Sequence, residues 1–441
     1  VSAPDSDGLP EPRRRLAALS ILGALAASVL DASMLNVALP TMAREFGVSP
    51  AEAVWVVNAY QITVVGTLIP FAALGEILGF RRVWAAGLAL FSAAALLAAL
   101  APGFEALLAA RILQGLGSSA VMSLLAGLVR HTYPAKHLGR AIGNTALTVA
   151  VCSALGPSLG AAVIAAAGWS AVFLLHLPLA LASLAFGLRS LPEPQPQPRA
   201  FDLGAAALNM AAFGLVFLGL DVMLHHALPG VLALAAGIAC AVALVRREMG
   251  RSAPLLPLDL LAIRTVRLAI AASVCMFGAH MLCVIPLPFH LQAAGFSPFE
   301  IGLILTPYPL AIGLLAPIAG RLSDRVPSAL PCALGGVVLA LALVAIALLP
   351  PARVEWLCAA LLLAGVGFGF FQAPNNRTIL SGTPRARAGS AGGMQATARV
   401  LGQSFGATVA ALCFTLLGPF AAFLCGAALA VAAGALSLAR R

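Results

Sequence analysis

The stretch LAALSILGALAASVLDASMLNVAL, residues 16–39, runs for 24 residues with a single charge, Asp31. Wound as a helix it covers about 36 Å, enough to cross a hydrocarbon layer of about 30 Å. In lipid, backbone polar groups must be satisfied within their own segment, so the run reads as a helix. Comparable runs follow at about 52–76, 83–101, 104–128, 138–165, 169–189, 203–223, 229–246, 264–292, 299–321, 331–350, 353–380, 387–416 and 418–439. They are continuous rather than alternating, which argues against an outer-membrane barrel. Of the 441 residues 61% are hydrophobic and 10% charged, whereas a soluble domain carries about a quarter charged residues. The expectation is an all-α polytopic membrane protein of fourteen spans.

Residues 1–15 form a polar, Pro-rich tail ending in Arg13-Arg14-Arg15. No cleavage site follows the first apolar run, so it reads as a span rather than a signal peptide. Pro192–Pro198 is a Pro-rich linker, and Arg246–Asp259 is a second polar stretch. With the tail inside, 22 of the 26 Lys and Arg residues fall in cytoplasmic segments. Arg44 and Arg353 fall outside, and Arg111 and Arg399 lie within spans. By the positive-inside rule both ends are cytoplasmic. The net charge of +10 is thus topological, and its dispersal speaks against a nucleic-acid partner. The eight cysteines show no metal-like spacing and read as packing residues.

Two segments repeat. Gly156-Pro-Ser-Leu-Gly160-Ala-Ala-Val163 recurs as Gly402-Gln-Ser-Phe-Gly406-Ala-Thr-Val409, and Leu74-Gly-Glu76 recurs as Leu322-Ser-Asp324, at offsets of 246 and 248 residues. The offset spans an even number of helices, so the copies share one orientation, a parallel repeat about the membrane normal. The division that follows is a six-helix bundle at 16–190, two inserted helices at 203–246, and a second six-helix bundle at 264–441.

Leu30-Asp31-Ala-Ser-Met-Leu-Asn36-Val-Ala-Leu-Pro40 resembles the first-helix signature of the fourteen-helix drug:proton antiporter branch of the major facilitator superfamily. Leu74-Gly-Glu76-Ile-Leu-Gly79-Phe-Arg81-Arg82 is similar to that superfamily's cytoplasmic gating motif, with Ala72 where a glycine is usual and Glu76 where an aspartate is usual. Arg111-Ile-Leu-Gln114-Gly115-Leu-Gly117 is similar to the proton-linked motif of span four. Gly156-Pro157-Ser-Leu-Gly160 is similar to the antiporter motif of span five, with Ala161 in place of a common glycine. The resemblance implies a major-facilitator-type fold in a bacterial inner membrane. It also implies exchange of drugs, dyes or biocides for protons.

The residues support a chemistry of their own. Asp31 is the one acid deep within a span, about eight residues from the outer end of span one, and Arg111 lies about seven residues from the outer start of span four. A buried ionisable group faces a cavity or a partner, so Asp31 and Arg111 are expected to pair at similar depth beside Gln114 and Asn36. Asp31 then carries the proton and Arg111 modulates its affinity, against the alternative of a permanent structural ion pair. Glu76, Arg81 and Arg82, with Asp324 and Arg325 as counterparts, read as a cytoplasmic latch. Gly156, Pro157 and Gly160 read as a helix bend that seals the cavity. His176 and His280 read as hydrogen-bonded core histidines, and Arg399 as a buried cation held structurally or facing an anionic group.

The expected cavity lining is Asn36, Trp55, Asn58, Tyr60, Gln61, Gln114, Phe277, Met281, Gln372 and Asn376, with Arg399. Such a site suits amphipathic or cationic small molecules that compete with the proton for Asp31. An organic-anion metabolite or siderophore exporter is the alternative on the same fold. A non-transporting sensor or assembly partner is the alternative of another class. No carboxylate pair, nucleophile elbow, phosphate loop or metal cluster appears, so no enzyme activity and no cofactor is expected. The expected partners are the small-molecule substrate, protons and the bilayer, with the chain acting as a monomer.

Overall fold

The computed structural model describes residues 8–134, 137–193, 201–249, 258–322, 326–383 and 388–440. Its first half contains α1 (Arg13–Phe46), α2 (Pro50–Leu78), α3 (Phe80–Ala99), α4 (Phe104–Thr132), α5 (Leu138–Ala167), α6 (Ala171–Leu175) and α7 (Leu177–Ser190). The middle contains α8 (Leu203–His225), α9 (Ala227–Glu248) and the short α10 (Leu258–Ala262). The second half contains α11 (Arg264–Val284), α12 (Pro286–Ala293), α13 (Pro298–Leu305), α14 (Pro307–Leu322), α15 (Ala329–Leu348), α16 (Val354–Ser381), α17 (Ala388–Leu416) and α18 (Pro419–Leu438). Among the described residues fourteen segments are long and apolar enough to cross a membrane, as expected.

Three of these crossings are broken. The chain interrupts at His176, at Ile285 and at Thr306, immediately before helices that open with a proline at their first or second position. Proline lacks the N–H that would bond one turn back, so the ladder restarts there. The sequence reading ran each of these spans straight through, and it did not anticipate α10.

The duplication extends well beyond the two segments that suggested it. Ser49 and Glu52 form a capping box at the start of α2, and Ser297 and Glu300 form the same box 248 residues later, at the start of α13. Each box follows a glycine with positive φ, Gly47 at 65° and Gly295 at 93°. A Cβ added to Gly115 would sit 2.9 Å from the Tyr60 carbonyl oxygen, and one added to Gly365 would collide with the carbonyl of Tyr308. The second and fourth spans of each half therefore cross backbone to backbone at matching points. Close approach through small residues is the way helices pack without a hydrophobic drive between them.

Helices α8 and α9 pack on each other, and α8 also rests on α2 and α17. Only 28% and 17% of their spanning windows are buried, which puts the pair at the lipid-facing edge. Asn209 of α8 donates to the Gly66 carbonyl of α2 at 2.7 Å, and Arg247 of α9 forks onto Asp202 before α8 at 3.0 and 3.1 Å.

The two halves meet unevenly. Away from the termini, one apolar core joins Met34–Met42 of α1 and Trp169–Phe173 to Met276–Leu291 and Ile301–Leu305 of the second half. There α1 packs on α12 and α13, and α5 on α13 and α14. On the side bearing Arg13, the described residues form two separate cores. One centres on Trp84, Phe91 and Leu124 and also takes in Val400 of α17, which packs on α2; the other centres on Val266, Ala269 and Ile379. Among the described residues the halves thus share a continuous core on the far side, and nearer the termini they meet through α2 and α17.

Candidate functional site

The site begins at Asp31, midway along α1 and 0% exposed. Arg111 Nη1 donates to Asp31 Oδ2 at 2.9 Å and to Oδ1 at 3.1 Å, and Gln114 Nε2 donates to Oδ1 at 3.0 Å. Arg111 and Gln114 lie three residues apart on α4, so they share a face and reach the same carboxylate. The guanidinium has further partners. Nε donates to the Val56 carbonyl at 3.1 Å and Nη1 to Gln114 Oε1 at 2.6 Å. The ring of Tyr60 lies 4.3 Å from its carbon, and that of Phe173 5.7 Å. The Tyr60 hydroxyl donates to Ser118 at 2.6 Å. Burial of an ion pair this complete is tolerated only where lone pairs and protons are satisfied in this way.

His176 closes the cluster. It stands at the break between α6 and α7, with Nε2 at 3.4 Å from Gln114 Nε2 and 3.9 Å from Asp31 Oδ1. Its ring also lies against Phe91, 5.3 Å between centroids. The sequence placed His176 in the outer half of a span but gave it a separate core role. Its depth, matching that of Asp31 and Arg111, was the available signal. The Asp31–Arg111–Gln114 grouping itself is brought together as expected.

The rest of the expected lining divides. Asn58 and Gln114 are buried rather than lining open space, whereas Asn36, Trp55, Gln372 and Asn376 are half-buried. Gln61 reaches across the halves to Gln403 at 3.5 Å. Phe277 stacks edge-on against Phe368, and Met281 is buried beside Gly406. Arg399 is half-buried on α17, one turn from Gln403, in electrostatic reach of Tyr60. His280 bonds the Tyr308 hydroxyl at 2.7 Å and stacks on the Tyr308 ring, with Phe368 tilted against it. Tyr308 lies 248 residues after Tyr60, the repeat offset, which was the signal that could have found it.

The segment Gly156–Gly160 lies within a continuous α5 that includes Pro157. Gly156 packs on Ser33 and Gly160 on Met34 of α1, and Gly302 of α13 sits against the Pro157 carbonyl. The hydroxyls of Ser158 and Thr306 are hydrogen-bonded at 2.5 Å. This segment therefore lies in the seam where the halves close.

Of the expected latch residues, those described sit as follows. Arg81 and Arg82 both pair with Glu193, just past α7, at 2.5 and 3.4 Å. They tie α3 to the end of their own half, an acid the sequence reading did not name. Glu76 is half-buried at the end of α2. Asp324 and Arg325 lie outside the described residues.

Two similar halves, fourteen spans and a buried ion pair beside the seam between the halves are the architecture of a membrane transporter. The chain matches the Major Facilitator Superfamily over residues 21–407 and belongs to that family. It is 42% identical to an uncharacterized transporter, YebQ of Escherichia coli (strain K12), over 94% of this chain and 92% of that one. It is 30% identical to the riboflavin transporter RibZ of Clostridioides difficile (strain 630), over 86% and 83%. It is 28% identical to the multidrug efflux pump LfrA of Mycolicibacterium smegmatis, over 92% and 82%. Among solved structures, a POT family transporter with a bound thioalcohol-conjugated peptide superposes with a TM-score of 0.74 at 14% identity, over 97% of this chain and 96% of that one. The human organic anion transporter MFSD10 does so at 0.64 and 19% identity, over 97% and 100%.

Proposed function

We propose that this chain exports amphipathic small molecules in exchange for protons, residues 16–190 and 264–441 rocking about the central seam. Asp31 carries the proton, and Arg111 sets how tightly it is held. The observation that carries the reading is the Asp31 carboxylate, buried and held mainly by two side chains of α4. Protonating it removes the negative charge that holds α1 to α4. Arg111 is not stranded by that loss, because the Val56 carbonyl, Gln114 Oε1 and the Tyr60 ring still hold it. An ion pair that opens without orphaning its cation suits a reversible proton site better than a permanent strut.

The chain acts as a monomer in a bacterial inner membrane with both termini in the cytoplasm, a topology supported by the distribution of basic residues. The described structure then corresponds to the cytoplasm-open state. The latch of Glu76, Arg81 and Arg82 with Asp324 and Arg325 tightens in the opposite state, and Gly156, Pro157 and Gly160 keep the outer seam shut in this one. Likeness to an efflux pump favours export, and likeness to a riboflavin transporter leaves the cargo class to the site itself. The test is proton exchange in proteoliposomes. An Asp31→Asn protein should fold and insert yet lose pH-driven efflux of rhodamine 6G and fluorescein, the two dyes assayed. Full pH-driven export by that variant would refute the proton role.

A further inference from the structure

We infer that Arg399 is the anchor for an anionic group on the cargo, so that the substrate class is an amphipathic organic anion rather than a cationic dye. The inference deepens the transport reading above and rests on it. Arg399 lies about three turns into α17, deep in the membrane-spanning part of the second half. Among the described residues it has no carboxylate and no hydrogen-bond acceptor as partner, unlike Arg111, which has four. A guanidinium inside a bilayer is costly unless paired or hydrated. Its neighbour Val400 is packed into the core of the first half, with Ala396 and Leu401 against it, so this stretch of α17 faces the seam rather than lipid.

The acid that would attract a cationic cargo is already committed. Asp31 is sealed and its charge is neutralised by Arg111 at 2.9 Å. What the seam offers instead is one uncompensated positive charge with amides around it. Gln403, one turn outward on the same face of α17, touches Gln61 of α2. Side-chain amides and a guanidinium together supply the several N–H donors that a carboxylate, sulfonate or phosphate accepts. An apolar wall adjoins them: Phe277 lies 2.9 Å from where a Cβ of Gly402 would stand, and it continues into Phe368, His280 and Tyr308. Cation, amides and aromatic wall together fit an anion with an aromatic body. Cargo and proton then occupy different residues, and exchange runs through the change of conformation rather than through competition for one carboxylate.

The test compares two dyes with the same xanthene core, fluorescein as the anion and rhodamine 6G as the cation. Each is titrated by fluorescence anisotropy onto the full detergent-purified chain at pH 8. Fluorescein should bind more tightly, and added salt should weaken it. Arg399→Gln should weaken fluorescein by about tenfold to a hundredfold, the loss expected for a charge-assisted hydrogen bond, and leave rhodamine 6G unchanged or tighter. Arg399→Lys should retain most of the affinity, and Arg353→Gln, which removes a cation outside the seam, should retain all of it. Unaltered rhodamine binding shows that the Gln variant is folded; should it fail to fold, the Lys variant and the salt series decide. Tighter binding of rhodamine to the unsubstituted chain, no binding of fluorescein, or equal loss of both dyes in Arg399→Gln would overturn the proposal. Binding in detergent needs no proton coupling, so this result and the Asp31→Asn result fail independently.

Discussion

At the residue scale, the Asp31–Arg111 pair makes a quantitative prediction. Both side chains are essentially unexposed, and removing one partner of a buried pair costs about 3–5 kcal/mol because the other is left charged and unpaired. Arg111→Gln should therefore lower the thermal unfolding midpoint markedly. The double variant Arg111→Gln/Asp31→Asn should recover most of that loss, and a thermal-melt double-mutant cycle reads it directly. Tyr60 supports the same site in two separable ways. Tyr60→Phe removes the bond to Ser118 but keeps the ring over Arg111, and should cost about 1 kcal/mol. Tyr60→Leu removes the ring as well and should cost a further 1–2 kcal/mol or so.

At the element scale, the seam between α5 and α13 depends on a side chain that is absent. A Cβ at Gly302 would lie 2.6 Å from the Pro157 carbonyl oxygen and would meet Ala161 as well. Gly302→Leu should therefore hold the two helices apart, costing about 1–3 kcal/mol of overpacking in the closed arrangement. The expected readout is a lower melting temperature together with loss of dye exchange. By contrast, Glu193→Ala removes a partly exposed acid from Arg81 and Arg82. Such pairs are worth about 0–1 kcal/mol, so its melting temperature should stay close to that of the unsubstituted chain.

At the scale of the whole molecule, the proposed rocking motion would turn on the contacts between the two halves. On one side a continuous apolar core runs through both halves, and on the other they meet through α17 and α2. In the proposed motion the far-side seam would open as the other side closes, moving a central site from one face to the other. Ser158 and Thr306 bridge the sealed seam through their hydroxyls. With the native cysteines replaced, Ser158→Cys/Thr306→Cys should cross-link under oxidation and stop exchange, and reduction should restore it. Exchange that continues at the full rate through the cross-link would contradict the rocking motion.

Sequence alone determined the fold and much of the Asp31–Arg111 site, because both rest on local or length-scale constraints. A 24-residue apolar run leaves the backbone one way to satisfy itself in lipid, and a repeat at constant offset carries its architecture with it. A lone acid and a lone arginine at similar depth in hydrocarbon leave few partners but each other, which is why Asp31 and Arg111 were legible in advance. Tertiary structure alone decided what depends on the packing of distant segments. It brought His176 to Asp31 through the break between α6 and α7, and paired Arg81 and Arg82 with Glu193 of their own half. It also committed Asp31 to Arg111 while leaving Arg399 without a counter-charge among the described residues. Composition counts one deep acid and two deep arginines. Only the three-dimensional path of α4 and α17 settles which arginine neutralises the acid and which keeps its charge at the seam.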